Sequence, residues 1–261
     1  MLLAFDVGNT TVAIGLFRNA ALVKAWKVKT DRDKTSDEYE AMLLNLFQMA
    51  GQEPKRVDAA IISSVVPPLT PVVQDLCRHL FGLEALVIGP GLRTGMPILY
   101  ESPLEVGADR IAAAVAAFEK YGGPCIVVDF GTATTFDAVS DKGEYLGGAI
   151  APGIQISAEA LYLKTARLPR IEIRKPRKAI GRTTVASMQS GLYFGYVGLV
   201  TNTIDEIRKE LGATAKVVAT GGFGGQITPE VPAIEAYDPD LVLEGLRIVY
   251  ERNKDPRAHE R

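Results

Sequence analysis

Two stretches of this chain set the same residue types in the same order. They are Asp6-Val7-Gly8-Asn9-Thr10-Thr11 near the start and Asp129-Phe130-Gly131-Thr132-Ala133-Thr134-Thr135-Phe136-Asp137 near the middle. An aspartate that ends a buried strand can hold a cation or a metal-bound water, and the glycine two residues on lets backbone amides approach a phosphate closely. Asparagine and threonine add amide and hydroxyl donors without bulk. One such stretch is also an ordinary turn. Two at matching positions predict a pair of hairpins that face one another across a cleft and cradle the phosphates of one nucleotide.

A third group is Gly107-Ala108-Asp109-Arg110, which follows the helix-start signal Ser102-Pro103-Leu104-Glu105. Asp109 and Arg110 therefore fall in the first turns of a helix, or at its very start if Gly107 delays it. The plain reading is a solvated charged pair on a helix surface. The chemical reading is a base: phosphoryl transfer to an alcohol needs positioning, charge neutralisation and an acceptor for the hydroxyl proton. Thr220-Gly221-Gly222-Phe223-Gly224-Gly225 follows a strand and is either a flexible turn or a flat surface for a base or ribose.

The elements that must position these groups repeat. Residues 2–6, 11–18 and 21–29 read as a strand meander, followed by a helix that opens on the capping box Thr35-Ser36-Asp37-Glu38 and carries the stripe Tyr39, Leu43, Leu46, Phe47, Ala50. A buried strand at 59–66 ends in Pro67-Pro68, Thr70 caps a helix that Pro71 opens, and 86–89 is a short strand. Residues 126–129, 134–139 and 144–150 give a second meander, 184–211 one long helix or a broken pair with Gly191, Gly195 and Gly198 on a small-residue face, 215–220 a strand, and 238–252 a closing helix. This is an α/β chain of two duplicated halves, each a mixed sheet with helices, folded about a cleft. The spans are 1–115 and 116–253, divided within the 112–121 helix, with a polar tail at 254–261.

Composition excludes several classes. At 261 residues the chain suits two domains of roughly 120 residues, and 47% hydrophobic content supplies full cores. With 29 basic and 31 acidic side chains the net charge is −2, so no basic field of the nucleic-acid-binding kind is present. Met1 leads straight into a strand without a basic leader or long apolar run, which predicts a cytoplasmic protein with no membrane segment. Cys77 and Cys125 lie in apolar runs and read as buried reduced thiols. His79, with only His259 besides, does not make a zinc site. Asp129-Phe130-Gly131 spells the protein-kinase metal tripeptide, but no His-Arg-Asp loop accompanies it and no Gly-x-x-x-x-Gly-Lys loop occurs. The cluster Arg170, Arg174, Lys175, Arg177, Lys178 reads as a solvated loop, with contact to an anionic ligand as the alternative.

The paired loops resemble the two phosphate motifs of the actin, sugar-kinase and heat-shock ATPase superfamily. Together with Gly107-Ala108-Asp109-Arg110, Gly147-Gly148-Ala149-Ile150-Ala151-Pro152-Gly153 and Thr220-Gly221-Gly222, they make the chain resemble the type III pantothenate kinases over nearly its whole length. The resemblance implies ribonuclease-H-like halves and ATP-dependent phosphorylation of pantothenate to 4'-phosphopantothenate, the first step of coenzyme A synthesis. It makes Asp109 the catalytic base and Tyr100, Gly107, Ala108, Asp109, Arg110 and Thr184 the pantothenate contacts. Asp6, Val7, Gly8, Asn9, Thr10, Thr11, Val12, Ala13 and Thr132 become ATP contacts, with Asp6 acting on or near Mg2+ and Asp129 holding a monovalent cation, K+ or NH4+. It also implies a homodimer. The alternatives are a regulatory, transcription-activating homologue on the same scaffold, or a kinase of another small alcohol.

Overall fold

The computed structural model describes residues 1–212 and 214–254. They form two compact units: residues 1–120 with the segment that begins at Asp240, and residues 121–239.

In the first unit the apolar run after Met1 becomes β1 (Leu2–Val7), which pairs antiparallel with β2 (Thr11–Arg18), and that in turn with β3 (Ala21–Lys29). The chain then crosses through α1 (Ser36–Met49) to β4 (Ala59–Ser64), parallel to β1, and through α2 (Leu69–Phe81) to β5 (Leu86–Val87), parallel to β4. The sheet order is β3-β2-β1-β4-β5. At the start of α1 the Thr35 side chain accepts from the Glu38 amide while Glu38 reaches back to the Thr35 amide, the reciprocal box that its sequence predicts. Leu3, Phe5 and Val7 alternate along β1 onto one face and pack against Tyr39, Leu43 and Phe47 of α1 and Leu69, Val73 and Leu76 of α2. Each such buried side chain contributes about 1.5–3 kcal/mol. The unit also contains α3 (Ala108–Tyr121), whose inner residues Ala112–Ala117 are all buried.

The second unit repeats this plan. β6 (Cys125–Phe130), β7 (Ala133–Val139) and β8 (Tyr145–Pro152) form the meander, followed by α4 (Ile154–Lys164) and α5 (Thr184–Leu211). β9 (Lys216–Thr220) runs parallel to β6, α6 (Gly224–Ile227) is a single turn, and β10 (Ala236–Tyr237) runs parallel to β9. The order β10-β9-β6-β7-β8, read from β8, matches the first sheet strand for strand. Val128 and Phe130 of β6, Val217 and Ala219 of β9 and Tyr196, Val200 and Ile204 of α5 form its core.

The last helix, α7 (Leu241–Asn253), departs from the expected 116–253 half: it packs on β1, β2 and β4 of the first sheet. Its buried stripe of Leu241, Leu243, Leu246 and Val249 covers the sheet face opposite α1 and α2. A Cβ at Gly15 of β2 would crowd the side-chain tips of Phe17 and Leu243, and one at Gly245 would overlap the carbonyl of Ala112 in α3, so glycine is required at the second of these close approaches. α3 belongs with the first unit through Lys120 and is not divided at 115. The expected polar tail is described only at Lys254, and the remainder, His259 included, lies outside the described residues.

Local differences have local causes. α2 begins at Leu69 without a side-chain cap, and Thr70 donates instead to Ser64 Oγ at 2.9 Å. The expected 86–89 strand has two strand residues, although the Ile88 amide still bonds the Ile62 carbonyl. The start signal at 102–105 makes a 3-10 turn, Val106 is extended, and α3 begins after Gly107. α5 is one unbroken helix capped by Thr183, whose side chain accepts from the Ala186 amide. α4 has no counterpart among the sequence expectations. Among the described residues no helix is long and apolar enough to cross a membrane.

Candidate active site

The first loop joins β1 to β2. Asp6 is the last but one residue of β1, paired with Ala13, and Val7 pairs with Val12, so residues 8–11 form the turn. The Gly8 amide donates to the Thr11 carbonyl at 3.1 Å. Asn9 and Thr10 are exposed, while Val7 and Val12 anchor the loop in the core. The segment after β3 holds the loop from outside: Thr30 Oγ1 donates to the Gly8 carbonyl at 2.6 Å, the Thr30 amide to the Thr10 carbonyl at 3.0 Å, and Arg32 Nη2 to Asn9 Oδ1 at 2.9 Å. Thr30 and Arg32 were not anticipated. They sit in a charged run at 29–34 that carries no local signal of contact with residues twenty positions earlier.

β4 connects this loop to Asp109. In its parallel pairing with β1, Ser63 stands opposite Asp6 and Ser64 opposite Val7. The next amide, of Val65, donates to the Val7 carbonyl at 3.1 Å. Val65 Cγ1 lies 3.5 Å from where a Cβ on Gly107 would be, and that Cβ would also lie 2.5 Å from Asp109 Oδ1. The Asp109 carboxylate thus folds back over Gly107 into the space a side chain there would take. Asp109 Oδ1 accepts from the Arg110 amide at 2.8 Å at the amino end of α3. Burial pushes the Asp109 carboxyl above the usual range, against a smaller opposite pull from the amide and guanidinium of Arg110. A half-buried carboxylate of raised basicity on a helix start is a competent proton acceptor. Tyr100 is half-buried in the segment that leads to this helix, with Gly107, Ala108 and Arg110 equally partly exposed at its start.

The second loop joins β6 to β7. Asp129 pairs with Thr135 and Phe130 with Thr134, which leaves residues 131–133 as the turn, closed by the Gly131 amide on the Ala133 carbonyl at 3.1 Å. Thr132 is exposed at the tip. Two glycines admit neighbouring backbone. A Cβ on Gly153, ahead of α4, would overlap the Thr132 carbonyl and lie 2.7 Å from that of Gly131. One on Gly221, whose φ is +87°, would strike Asp129 Oδ1 and lie 2.6 Å from the Phe130 backbone. Burial pushes the Tyr196 phenol up, its hydrogen bond with Thr134 pulls it down, and the neighbouring Asp129 charge adds a smaller upward push. In the Thr220–Gly225 stretch, Gly224 is glycine because the Tyr237 ring occupies the space a Cβ would take, and Tyr237 Oη donates to the Gly221 carbonyl at 2.9 Å.

Thr184 is the first residue of α5, exposed, and lines a groove of about 760 Å3 with Leu161, Leu168, Met188 and Leu192. The structure therefore groups Asp6 to Ala13 with Gly107 to Arg110 in the first unit, and places Asp129, Thr132 and Thr184 in the second. Both cysteines are buried, their thiols pushed up to about 12 by burial. His79 meets Glu40 at 3.2 Å on the surface. The basic cluster at 170–178 is irregular chain, with Lys175 paired to Glu230 at 2.6 Å.

The donor sets suit the groups implied for them. Carboxylate, hydroxyl and amide oxygens at Asp6, Asn9 and Thr10, and again at Asp129 and Thr132, are the oxygen ligands that hard cations take. The Gly8 and Gly131 amides close their own loops, and Asn9, Thr10 and Thr132 at the exposed tips bring amide and hydroxyl donors for phosphate.

Two sheets of this order, each opening on an Asp-x-Gly hairpin, are the fold of the actin-like ATPases and sugar kinases. Among solved structures the chain is similar to one from Campylobacter jejuni described as a Baf family transcriptional activator, with TM-score 0.62 at 19% identity, covering 97% of this chain and 98% of that one. It is also similar to one from Porphyromonas gingivalis assigned as an N-acetylglucosamine kinase, with TM-score 0.53 at 11% identity and coverage of 98% and 100%. At these identities the likeness is one of fold. Sequence is more specific: the family profile described as type III pantothenate kinase matches residues 2–206. Curated type III pantothenate kinases from Moorella thermoacetica and Geobacter sulfurreducens are 54% and 52% identical to it, over 97% and 98% of this chain and all of theirs. The chain belongs to the type III pantothenate kinase family.

Proposed function

We propose that this protein is an ATP-dependent kinase that phosphorylates the terminal hydroxyl of pantothenate, giving 4'-phosphopantothenate, the first step of coenzyme A synthesis. The observation that carries the reading is Asp109: a carboxylate made more basic by burial, set at a helix start inside Gly107-Ala108-Asp109-Arg110, in a chain 54% identical to a curated type III pantothenate kinase.

Asp109 accepts the hydroxyl proton as the oxygen attacks the γ-phosphorus of ATP, whose bond to the β,γ-bridging oxygen breaks and releases ADP. Gly107 and Ala108 offer backbone to the substrate, Tyr100 and Thr184 add contacts to it, and Arg110 supplies positive charge to its carboxylate or to the transferring group. Residues 6–13 wrap the triphosphate, Thr132 touches it, Asp6 acts on Mg2+, and Asp129 holds K+ or NH4+. Bound cations supply charge neutralisation on the phosphate oxygens. The reaction belongs to the cytoplasm.

The same reading includes a homodimer. Gly191, Gly195 and Gly198 of α5 have open space where side chains would be, and Ile156, Leu163, Val185 and Phe194 of α4 and α5 are exposed. A small-residue helix face edged with apolar side chains suits a second copy.

The test is ADP release from MgATP with and without pantothenate, in potassium and then in sodium buffer, for the wild type and Asp109→Asn. Pantothenate-dependent turnover that requires potassium and collapses in the variant is expected. A folded, ATP-binding protein that pantothenate does not stimulate would refute the substrate.

A further inference from the structure

The hydroxyl of Ser63 is the feature that the proposed chemistry leaves unused. Ser63 is wholly buried, and its Oγ has no hydrogen-bond partner in the protein. A buried hydroxyl left in that state is unfavourable, so its retention calls for a function. Its neighbour Ser64 shows the ordinary alternative. Ser64 Oγ accepts from the Val66 amide and from Thr70 and donates to the Val66 carbonyl, tying the end of β4 to the start of α2.

Alternation along the strand sends the two serines to opposite faces, and the parallel register sets Ser63 directly across from Asp6. Adjacent strands are about 4.8 Å apart, so hydroxyl and carboxylate project from the same face within reach of one bridging water. The duplication repeats the arrangement. In the second unit the residue across from Asp129 is Thr220, again a buried hydroxyl side chain. In both halves, then, the strand parallel to the one that ends in the loop aspartate offers a hydroxyl beside that carboxylate. At the other positions across from β1, β4 offers alanine, isoleucine and Ser64.

We propose that Ser63 is a positioning residue for the nucleotide-bound divalent ion: its hydroxyl donates to a water that also bonds the Asp6 carboxylate, and so fixes the carboxylate orientation that meets the ion. The inference rests on the reading of residues 6–13 as a triphosphate loop, not on the identity of the alcohol.

The experiment is Mn2+ binding to the full-length protein with ADP, followed by electron paramagnetic resonance without pantothenate, alongside thermal unfolding, for wild type, Ser63→Ala and Ser63→Cys. Supporting groups around a metal are worth about 10- to 100-fold in its affinity. Ser63→Ala is expected to weaken Mn2+ in the ternary complex at least tenfold with an unchanged or higher melting temperature, because it removes an unpaired donor. Ser63→Cys, which keeps a weak donor of similar size, should fall between the two. Mn2+ affinity within twofold of wild type in Ser63→Ala would overturn the proposal. So would a parallel loss of stability and affinity, which would make Ser63 a packing residue. A wild type that binds no Mn2+ with ADP would overturn the triphosphate loop itself, whereas absence of pantothenate stimulation in the turnover assay would touch the substrate alone.

Discussion

The two halves share a topology down to strand order, yet they treat the position two residues beyond the innermost loop residue of each second strand differently. In the first, Gly15 on β2 is crowded by Phe17 and by Leu243 of α7. In the second, the matching residue is Asp137, buried, with its oxygens accepting from Tyr145 Oη at 2.6 Å and Thr135 Oγ1 at 3.0 Å. The loops differ as well. The first spans four residues between Val7 and Val12 and is braced by side chains, Thr30 and Arg32. The second spans three between Phe130 and Thr134 and is braced by backbone pressed against Gly153 and Gly221. Both halves keep an aspartate as the last but one residue of the strand that enters the loop, and each braces that loop in its own way.

The largest effect expected on function is at Asp109. Asp109→Asn should lower pantothenate-dependent turnover by about 10²- to 10⁴-fold, the range for a lost general base. The same change should raise thermal stability at pH 7. A carboxyl whose folded value is raised destabilises the native state above that value, and the penalty closes as pH falls through it, because the native state takes up the proton first. Melting curves of the two proteins should therefore converge on acidification. A variant that is less stable at pH 7 would mean that the carboxylate is held by partners that favour its charge.

Next come the glycines that distinguish the loops. Gly221→Ala combines a positive φ with overlap on Asp129 and should cost about 2–3 kcal/mol in denaturant unfolding. Gly8→Ala, 3.0 Å from one carbonyl, should cost about 1 kcal/mol, and Gly131→Ala, at 3.4 Å, still less. Equal effects at all three would erase the distinction between a side-chain-braced and a backbone-braced loop. Tyr145→Phe strips a donor from buried Asp137 and should cost about 1–3 kcal/mol in unfolding. The smallest change is Thr30→Val. It removes one bond to the Gly8 carbonyl, worth about 1 kcal/mol, and should raise the KM for ATP several-fold with kcat nearly intact. An unchanged KM would show that the first loop holds its shape without the brace.

Much of this was legible because it is local. A short continuous apolar run opens each meander, Thr35 and Glu38 announce α1, and Asp-x-Gly marks each loop. α4 was missed because its apolar residues do not keep to one side: Ile154 and Ala158 are buried, while Ile156 and Leu163 face outward. Thr70 has the composition of a cap, but Ser64 was free to take its hydroxyl once β4 and α2 met. Gly107 offered two helix starts, and the later one prevailed because the first turn stops at Glu105 and Val106 is extended, which breaks the helix before Gly107. The fit of Thr30 to Gly8, of Ser63 to Asp6 and of α7 to the first sheet depends on strand register across long separations, which no local pattern encodes.

The return of α7 makes the first unit discontinuous in the chain, and this has a consequence for synthesis. Domains ordinarily fold in the order in which they leave the ribosome. Here the first hundred or so residues emerge with the apolar underside of β1, β2 and β4 uncovered, and they must wait for the final helix, while residues 121–239 are already complete. The second unit should therefore be the first to resist protease on a stalled nascent chain, and a chain truncated after Pro239 should leave the first unit unable to close.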